Sequence, residues 1–168
     1  MGKATAEELA KRFGEPYTTS DLLRYFDWLE KNNFLERISN DPPTYKVAAS
    51  GLIAIGALPK EACRVFIQVP PEKCFRFHTG TSPDKFTGVS ACNLSEMVKS
   101  IRTVDVKALE FHVPRGDIER WVRDVLGDDE LAERIKQIKM QNLRGEELRD
   151  RLSNLIEIRC RELTSIRY

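Results

Sequence analysis

Two histidines and four cysteines are the side chains in this sequence best suited to metal or nucleophilic chemistry, and their spacing limits what they can do. Cys74 and His78 stand four residues apart, with Cys92 and His112 further along, so a Cys74/His78/Cys92/His112 zinc site is the first combination to weigh. Phe75-Arg76-Phe77 alternates like a strand, and residues four apart on a strand lie about 13 Å from each other. Structural zinc sites use tighter knuckles, so no metal is expected. None of Cys63, Cys74, Cys92 and Cys160 forms a C-x-x-C pair. Met1-Gly2-Lys3-Ala4 runs straight into a charged helix rather than a signal-like segment. All four cysteines are therefore expected as reduced, mostly buried thiols of a cytoplasmic protein.

His112 lies close to Arg115 and Asp117, and a histidine beside a carboxylate is a common proton-transfer device. A simpler role fits the same spacing: Asp117 caps the following helix and Arg115 pairs with an acidic neighbour, groups that helix ends need anyway. We favour structure over catalysis here and expect no catalytic residue. A small-ligand or catalytic domain centred on His112 and Arg115 is the alternative. Residues 79–91 have the composition of a mobile loop. Their G-T-S-P-D-K-F-T-G lacks the G-K-[ST] ending of a phosphate-binding loop, so no nucleotide or other cofactor is expected.

Local signals set these groups on elements. Residues 64–69 are β-rich, Pro70-Pro71-Glu72-Lys73 is a turn, and residues 74–78 alternate, which together predict a hairpin. Asn93-Leu94-Ser95-Glu96 is a capping box opening a helix with Leu94, Met97, Val98 and Ile101 inward. Asp105 caps a short element that Pro114 stops, Asp117 caps another that Gly127 ends, and Asp128 starts a third. A long terminal helix after Gly145 carries Leu148, Leu152, Leu155, Ile156 and Leu163 as its apolar stripe.

The string F-H-V-P-R-G-D-I-E-R-W-V-R-D-V-L-G-D-D-E-L-A-E-R-I, residues 111–135, resembles an uncharacterised domain family found mainly in archaea. So do C-F-R-F-H-T-G, N-L-S-E-M-V-K-S-I and the final E-E-L-R-x-x-L helix. The likeness covers residues 74–165 and brings no activity, since none is assigned to the family. It marks His112, Arg115, Asp117 and Trp121 as a motif cluster.

The N-terminal stretch has a different character. Thr5 and Glu8 form a capping box, Gly14 suits the end of that first helix, and a turn through Glu15-Pro16-Tyr17 leads to Thr18, Thr19 and Ser20 as possible caps of a second. Leu22, Phe26 and Leu29 share one face of it. Residues 34–38 and 44–48 read as strands around a tip, Ser39 to Pro43, expected to leave the sheet. The E-L-A-K-R-F-G, the run F-D-W-L-E-K-N-N-F-L-E-R-I over residues 26–38 and the closing T-Y-K-V resemble winged helix-turn-helix domains. The usual first helix is missing from this match, and residues 52–58 or a second copy of the chain are candidates to replace it.

DNA binding is the ordinary role such a resemblance implies, and the charges argue against it. Residues 1–50 hold seven Lys and Arg against eight Asp and Glu, a net charge of −1, while the whole chain has a formal charge of +1. Phosphate neutralisation supplies most non-specific DNA affinity, and this stretch offers little. If nucleic acid is bound, Arg24, Lys31, Arg37 and Lys46 are the contacts. Leu23, Tyr25 and Trp28 lie off the Leu22/Phe26/Leu29 face and suit a protein interface better; the plainer alternative is that Trp28 packs under the wing.

No apolar run approaches the roughly 18 residues that cross a bilayer. The expected architecture is therefore α+β and predominantly helical: a winged-helix-like module at 1–60, then a mainly helical domain at 61–168 with an initial hairpin. The expected function is non-enzymatic regulation or adaptation through macromolecular binding, with a homodimer formed and a protein or ribonucleoprotein partner. A DNA-binding transcription regulator and a ribosome-associated factor are the alternatives. Arg159, Arg161 and Arg167 near the C-terminus suit the dipole of the last helix.

Overall fold

The computed structural model describes residues 3–15 and 18–165, and it divides into two compact units, residues 1–63 and 64–168. Met1-Gly2, the Pro16-Tyr17 part of the turn, and Arg167 lie outside the described residues. The chain is α+β and predominantly helical.

The first unit sets two helices and a short third against a three-stranded antiparallel sheet. Strand β1 (Lys3–Thr5) leads directly into helix α1 (Ala6–Phe13). Thr5 caps that helix by accepting from the Glu8 amide at 3.1 Å, and the Glu8 carboxylate accepts from the Thr5 amide at 2.8 Å. Helix α2 (Thr19–Lys31) opens with the same reciprocal arrangement between Thr18 and Asp21. Strands β2 (Leu35–Asn40) and β3 (Pro43–Val47) form the hairpin, and β1 pairs along the other edge of β3, giving the order β1-β3-β2. The tip is shorter than its composition suggests. Asn40 pairs with Pro43 and only Asp41 and Pro42 turn, because Pro43 takes the first position of its strand, where a missing N–H costs least.

Helix α3 (Ala49–Ala54) starts three residues before the expected 52–58 segment. Gly51 makes this possible. A Cβ there would meet the Phe34 carbonyl oxygen at 2.3 Å and the Val47 side chain at 2.8 Å, so only glycine allows the helix so close to the sheet. The core of this unit is small: Ala6, Leu22, Phe26 and Tyr45 are buried, and Phe26 meets the Tyr45 ring edge to face at 4.9 Å.

The second unit opens with a short helix α4 (Cys63–Phe66), which corrects the expected strand over 64–69. Pro70 and Pro71 remove two consecutive donors, and only the Val69 amide bonds across, to the Cys92 carbonyl at 2.9 Å. The hairpin forms later, between β4 (Phe75–His78) and β5 (Phe86–Ala91), so the supposed 79–91 loop is half strand. Its Thr, Gly and Ser content hides an alternation whose less exposed positions are Thr87, Val89 and Ala91. Five helices follow: α5 (Leu94–Thr103), α6 (Val106–Arg115), α7 (Asp117–Asp124), α8 (Asp129–Met140) and α9 (Gly145–Thr164). Asn93, Asp105 and Asp128 cap α5, α6 and α8 through their side chains.

Two details of this helical region differ from expectation. Helix α6 runs through Pro114 and ends at Gly116, whose φ of 71° is left-handed backbone that glycine adopts without strain. Gly116 also occupies the N-cap position of α7, so Asp117 is not the cap; its carboxylate is committed elsewhere. Twenty-four buried hydrophobic residues form one continuous core, with Phe77, Leu109, Ile118, Leu152 and Ile156 wholly enclosed. Leu148, Leu152, Ile156 and Leu163 of the α9 stripe are buried in it, and Leu155 packs at its edge.

Candidate functional site

The motif residues converge at the junction of β4, α6 and α7. His112 comes from the last turn of α6, and the tight turn at Gly116 brings Asp117 back to it. The His112 Nδ1 lies 2.9 Å from Asp117 Oδ2, while the backbone N–H of His78 in β4 donates to His112 Nε2 at 2.8 Å. An acceptor at Nε2 requires the proton to sit on Nδ1, so the ring is neutral and donates to Asp117. Burial holds the His112 pKa below the ordinary histidine value, against the opposing pull of Asp117.

Asp117 gathers the local cations. Arg115 donates to its Oδ2 at 3.0 Å and Arg120 to its Oδ1 at 2.9 Å. Burial works to raise its pKa, but hydrogen bonds from His112 and Arg115 outweigh that and keep it below the usual carboxylate range. Arg115 also lies over the Phe111 ring at 4.9 Å. Trp121, one turn along α7, donates its indole N–H to the Lys73 carbonyl at 2.7 Å. Phe75 stands between the two anchors, edge to face with His112 at 4.9 Å and with Trp121 at 5.9 Å.

The two ring nitrogens that proton transfer by His112 would need are already in use. Both nitrogens of His112 are bonded inside the protein, and the residue is 5% exposed. The arrangement ties β4 to the α6–α7 corner and fixes the direction of both helices. Sequence reasoning found His112, Arg115, Asp117 and Trp121, but not Arg120, the Phe75 ring, or the backbone partners at Lys73 and His78. Backbone partners carry no residue-type signal.

The cysteines overturn their expectation. Cys74 and Cys92 are joined by a disulfide, so two of the four are not reduced thiols. Cys63 and Cys160 are free; Cys63 is exposed, and burial pushes the half-buried Cys160 thiol up to about 11. The disulfide withdraws both sulfurs from the zinc combination. It also removes the cysteine-based argument for a reducing compartment.

A second buried polar group pairs two residues that the sequence placed separately, Asp128 as a helix start and Arg159 near the C-terminus. Asp128 is 1% exposed, caps α8 through the Leu131 amide, and receives both Nε and Nη2 of Arg159 at 2.9 Å. Burial opposes the charge on Arg159, and the Asp128 carboxylate more than restores it, so its pKa lies above the ordinary arginine value. Glu130 of α8 also bonds Arg159 and so joins α8 to α9, while Glu162 bonds it from within α9.

In the first unit, Tyr25 and Trp28 stand side by side on α2, each 59% exposed. Trp28 does not pack under the wing; its ring stacks against Phe34 at 6.2 Å. Leu23, grouped with them by position, is instead partly buried and packs against the small core of this unit. Among the candidate cations, Arg37 is clamped by Glu30 at 2.7 Å and Asp27 at 3.1 Å and covers the Tyr45 ring. Arg24 pairs with Asp21, and Lys46 with Glu36 at 3.0 Å. Lys31 makes no ion pair among the described residues.

These features define a mainly helical α+β domain built around a structural His–Asp–Arg cluster, preceded by a smaller unit with an exposed aromatic face. The family of unknown function DUF5752 matches residues 72–168, and the chain belongs to it. Neither a curated protein nor a solved structure matches the chain. No helix among the described residues is long and apolar enough to cross a membrane.

Proposed function

We propose that this chain is a non-enzymatic regulatory or adaptor protein whose first unit, a shortened winged-helix-like module, docks a protein partner through the outer face of α2. The second unit is the rigid carrier. One observation carries this proposal: Tyr25 and Trp28 are adjacent and exposed, while Arg24, Arg37 and Lys46 are each engaged by carboxylates of their own unit. Protein interfaces are enriched in such aromatics. Nucleic acid needs cations free to replace the counterions of phosphate, and only Lys31 of the four offers one. The saturated bonding of His112 supports a binding role over a catalytic one.

The order of the first unit supports the winged-helix resemblance, with two capped helices followed by a two-stranded hairpin and β1 as a third strand. A homodimer formed through this unit is part of the same proposal, since a second copy is one source of the helix that the resemblance lacks. The test is capture of partners from native cell extract by the full chain, with and without nuclease, alongside the Tyr25→Ala and Trp28→Ala variants. Nuclease-resistant capture that both substitutions abolish is expected. Capture that nuclease removes and both variants retain would replace the protein partner with nucleic acid or a ribonucleoprotein.

A further inference from the structure

The Cys74–Cys92 bond lies on the ladder of the β4–β5 hairpin. Phe75 pairs with Ala91 and Arg76 with Ser90, so Cys74 and Cys92 are the next facing pair, with Cα atoms 4.4 Å apart. That spacing matches facing residues of a non-hydrogen-bonded antiparallel pair. The bond therefore closes the open end of the hairpin. Cys92 directly precedes Asn93, the cap of α5, and its amide donates to Glu96 at 2.8 Å. Cys74 sits between Lys73, whose carbonyl receives the Trp121 indole, and Phe75, whose ring packs on both His112 and Trp121. Four residues after Cys74, the His78 amide holds His112. One covalent bond thus fastens the strand from which the motif cluster takes its backbone and aromatic contacts.

Most of the large core lies outside the hairpin. Helices α5 to α9 contribute most of the buried residues, and Asp128–Arg159 ties two of them independently. Opening the bond leaves that core in place and frees the start of β4. We propose that Cys74 and Cys92 form a reversible dithiol–disulfide switch, with the β4 contacts to His112 and Trp121 as its readout. Both cysteines are half-buried rather than enclosed. In the reducing direction, the thiolate of a dithiol reductant attacks one sulfur and forms a mixed disulfide. The other cysteine leaves as a thiolate and takes a proton. The second thiol of the reductant then displaces the first cysteine, which is protonated in turn. Two electrons and two protons pass to the protein, and the reductant ends as its disulfide.

The test uses the full chain with dithiothreitol as the reductant and oxidised glutathione as the oxidant. Iodoacetamide labelling after denaturation is expected to modify two cysteines in the oxidised chain, Cys63 and Cys160, and four in the reduced one. Reduction should speed amide exchange at His78 by at least about tenfold, part of the roughly hundredfold that cross-linking a loop of this size contributes to stability. The α9 amides around Leu152 should hardly change. Trp121 emission, read in a Trp28→Phe background, should shift red, and the His112 ring should titrate nearer the ordinary histidine value. Cys74→Ser and Cys92→Ser should each reproduce the reduced state and ignore dithiothreitol, while a Cys63→Ser/Cys160→Ser chain should keep the full response. Four labelled cysteines after oxidation would overturn the proposal. So would reduction that leaves His78 and Trp121 unchanged, or one that accelerates all amides equally, since the bond would then be a general staple.

Discussion

The two units solve the problem of enclosing a core in opposite ways. The second buries twenty-four hydrophobic residues and then spends buried polar groups on orientation: His112 with Asp117, and Asp128 with Arg159. The first gathers four into its core cluster among the described residues and relies on caps, a three-stranded sheet and surface ion pairs. Two of its aromatics, Tyr25 and Trp28, stay on the outside. Small cores are marginal because too little apolar surface leaves water to offset chain entropy. The difference teaches where change is tolerated. In the second unit, buried charges are held in fixed geometry, so each substitution there is costly. In the first, the outer face is free to be specialised for contact.

The largest expected effect tests that contrast directly. Arg159→Ala leaves the Asp128 carboxylate buried and unpaired, and should cost about 3–5 kcal/mol in denaturant unfolding of the second unit. A loss under about 1 kcal/mol would mean that water already reaches Asp128. In the first unit the comparable change is local: Thr18→Ala removes a cap and should cost about 1 kcal/mol, seen as faster amide exchange in α2 with α9 unaffected.

Acid should act on the second unit in two stages. His112 has a folded pKa below its unfolded value, so the unfolded chain takes up a proton first, and stability falls as pH drops from about 6.5 through the folded value. Asp117 is likewise depressed. Its contribution is present above the unfolded carboxylate pKa of about 4 and is lost as pH falls through the lower folded value. Melting curves from pH 7 to 3 check both steps, and His112→Gln should remove the upper one. The smallest effect on stability belongs to the exposed face. Trp28→Ala should change unfolding by less than about 0.5 kcal/mol while abolishing partner capture; a large destabilisation would show that Trp28 serves the fold.

Much of the helical architecture was legible because its signals are local. Thr5, Thr18, Asn93, Asp105 and Asp128 cap helices as their types and positions imply, and the α9 stripe follows the helical period. What stayed hidden was decided by partners distant in sequence. The strand over Phe86–Ala91 resembles a loop until β4 is set beside it. Segment 64–69 is rich in β-formers yet forms no strand, its first three residues coiling into α4, because the prolines after it forbid a ladder. The motif cluster was legible as a list of residues, but its meaning lies in the His78 amide and the Lys73 carbonyl, which no side chain announces. Asp128 was visible as a cap; that the same carboxylate neutralises an arginine 31 positions away was not.

Thr5 belongs to two elements at once, as the last residue of β1, paired with Thr44, and as the cap of α1. Strand and helix therefore meet without a spacer, and the helix inherits its heading from the sheet through one residue. Such a junction has no slack to absorb an insertion. Two residues added between Thr5 and Ala6 would separate cap from helix and let α1 swing away from the strand, whereas the same insertion at Asp41-Pro42 would merely lengthen a hairpin tip. Homologous chains should therefore vary in length at that tip and hardly at all at Thr5.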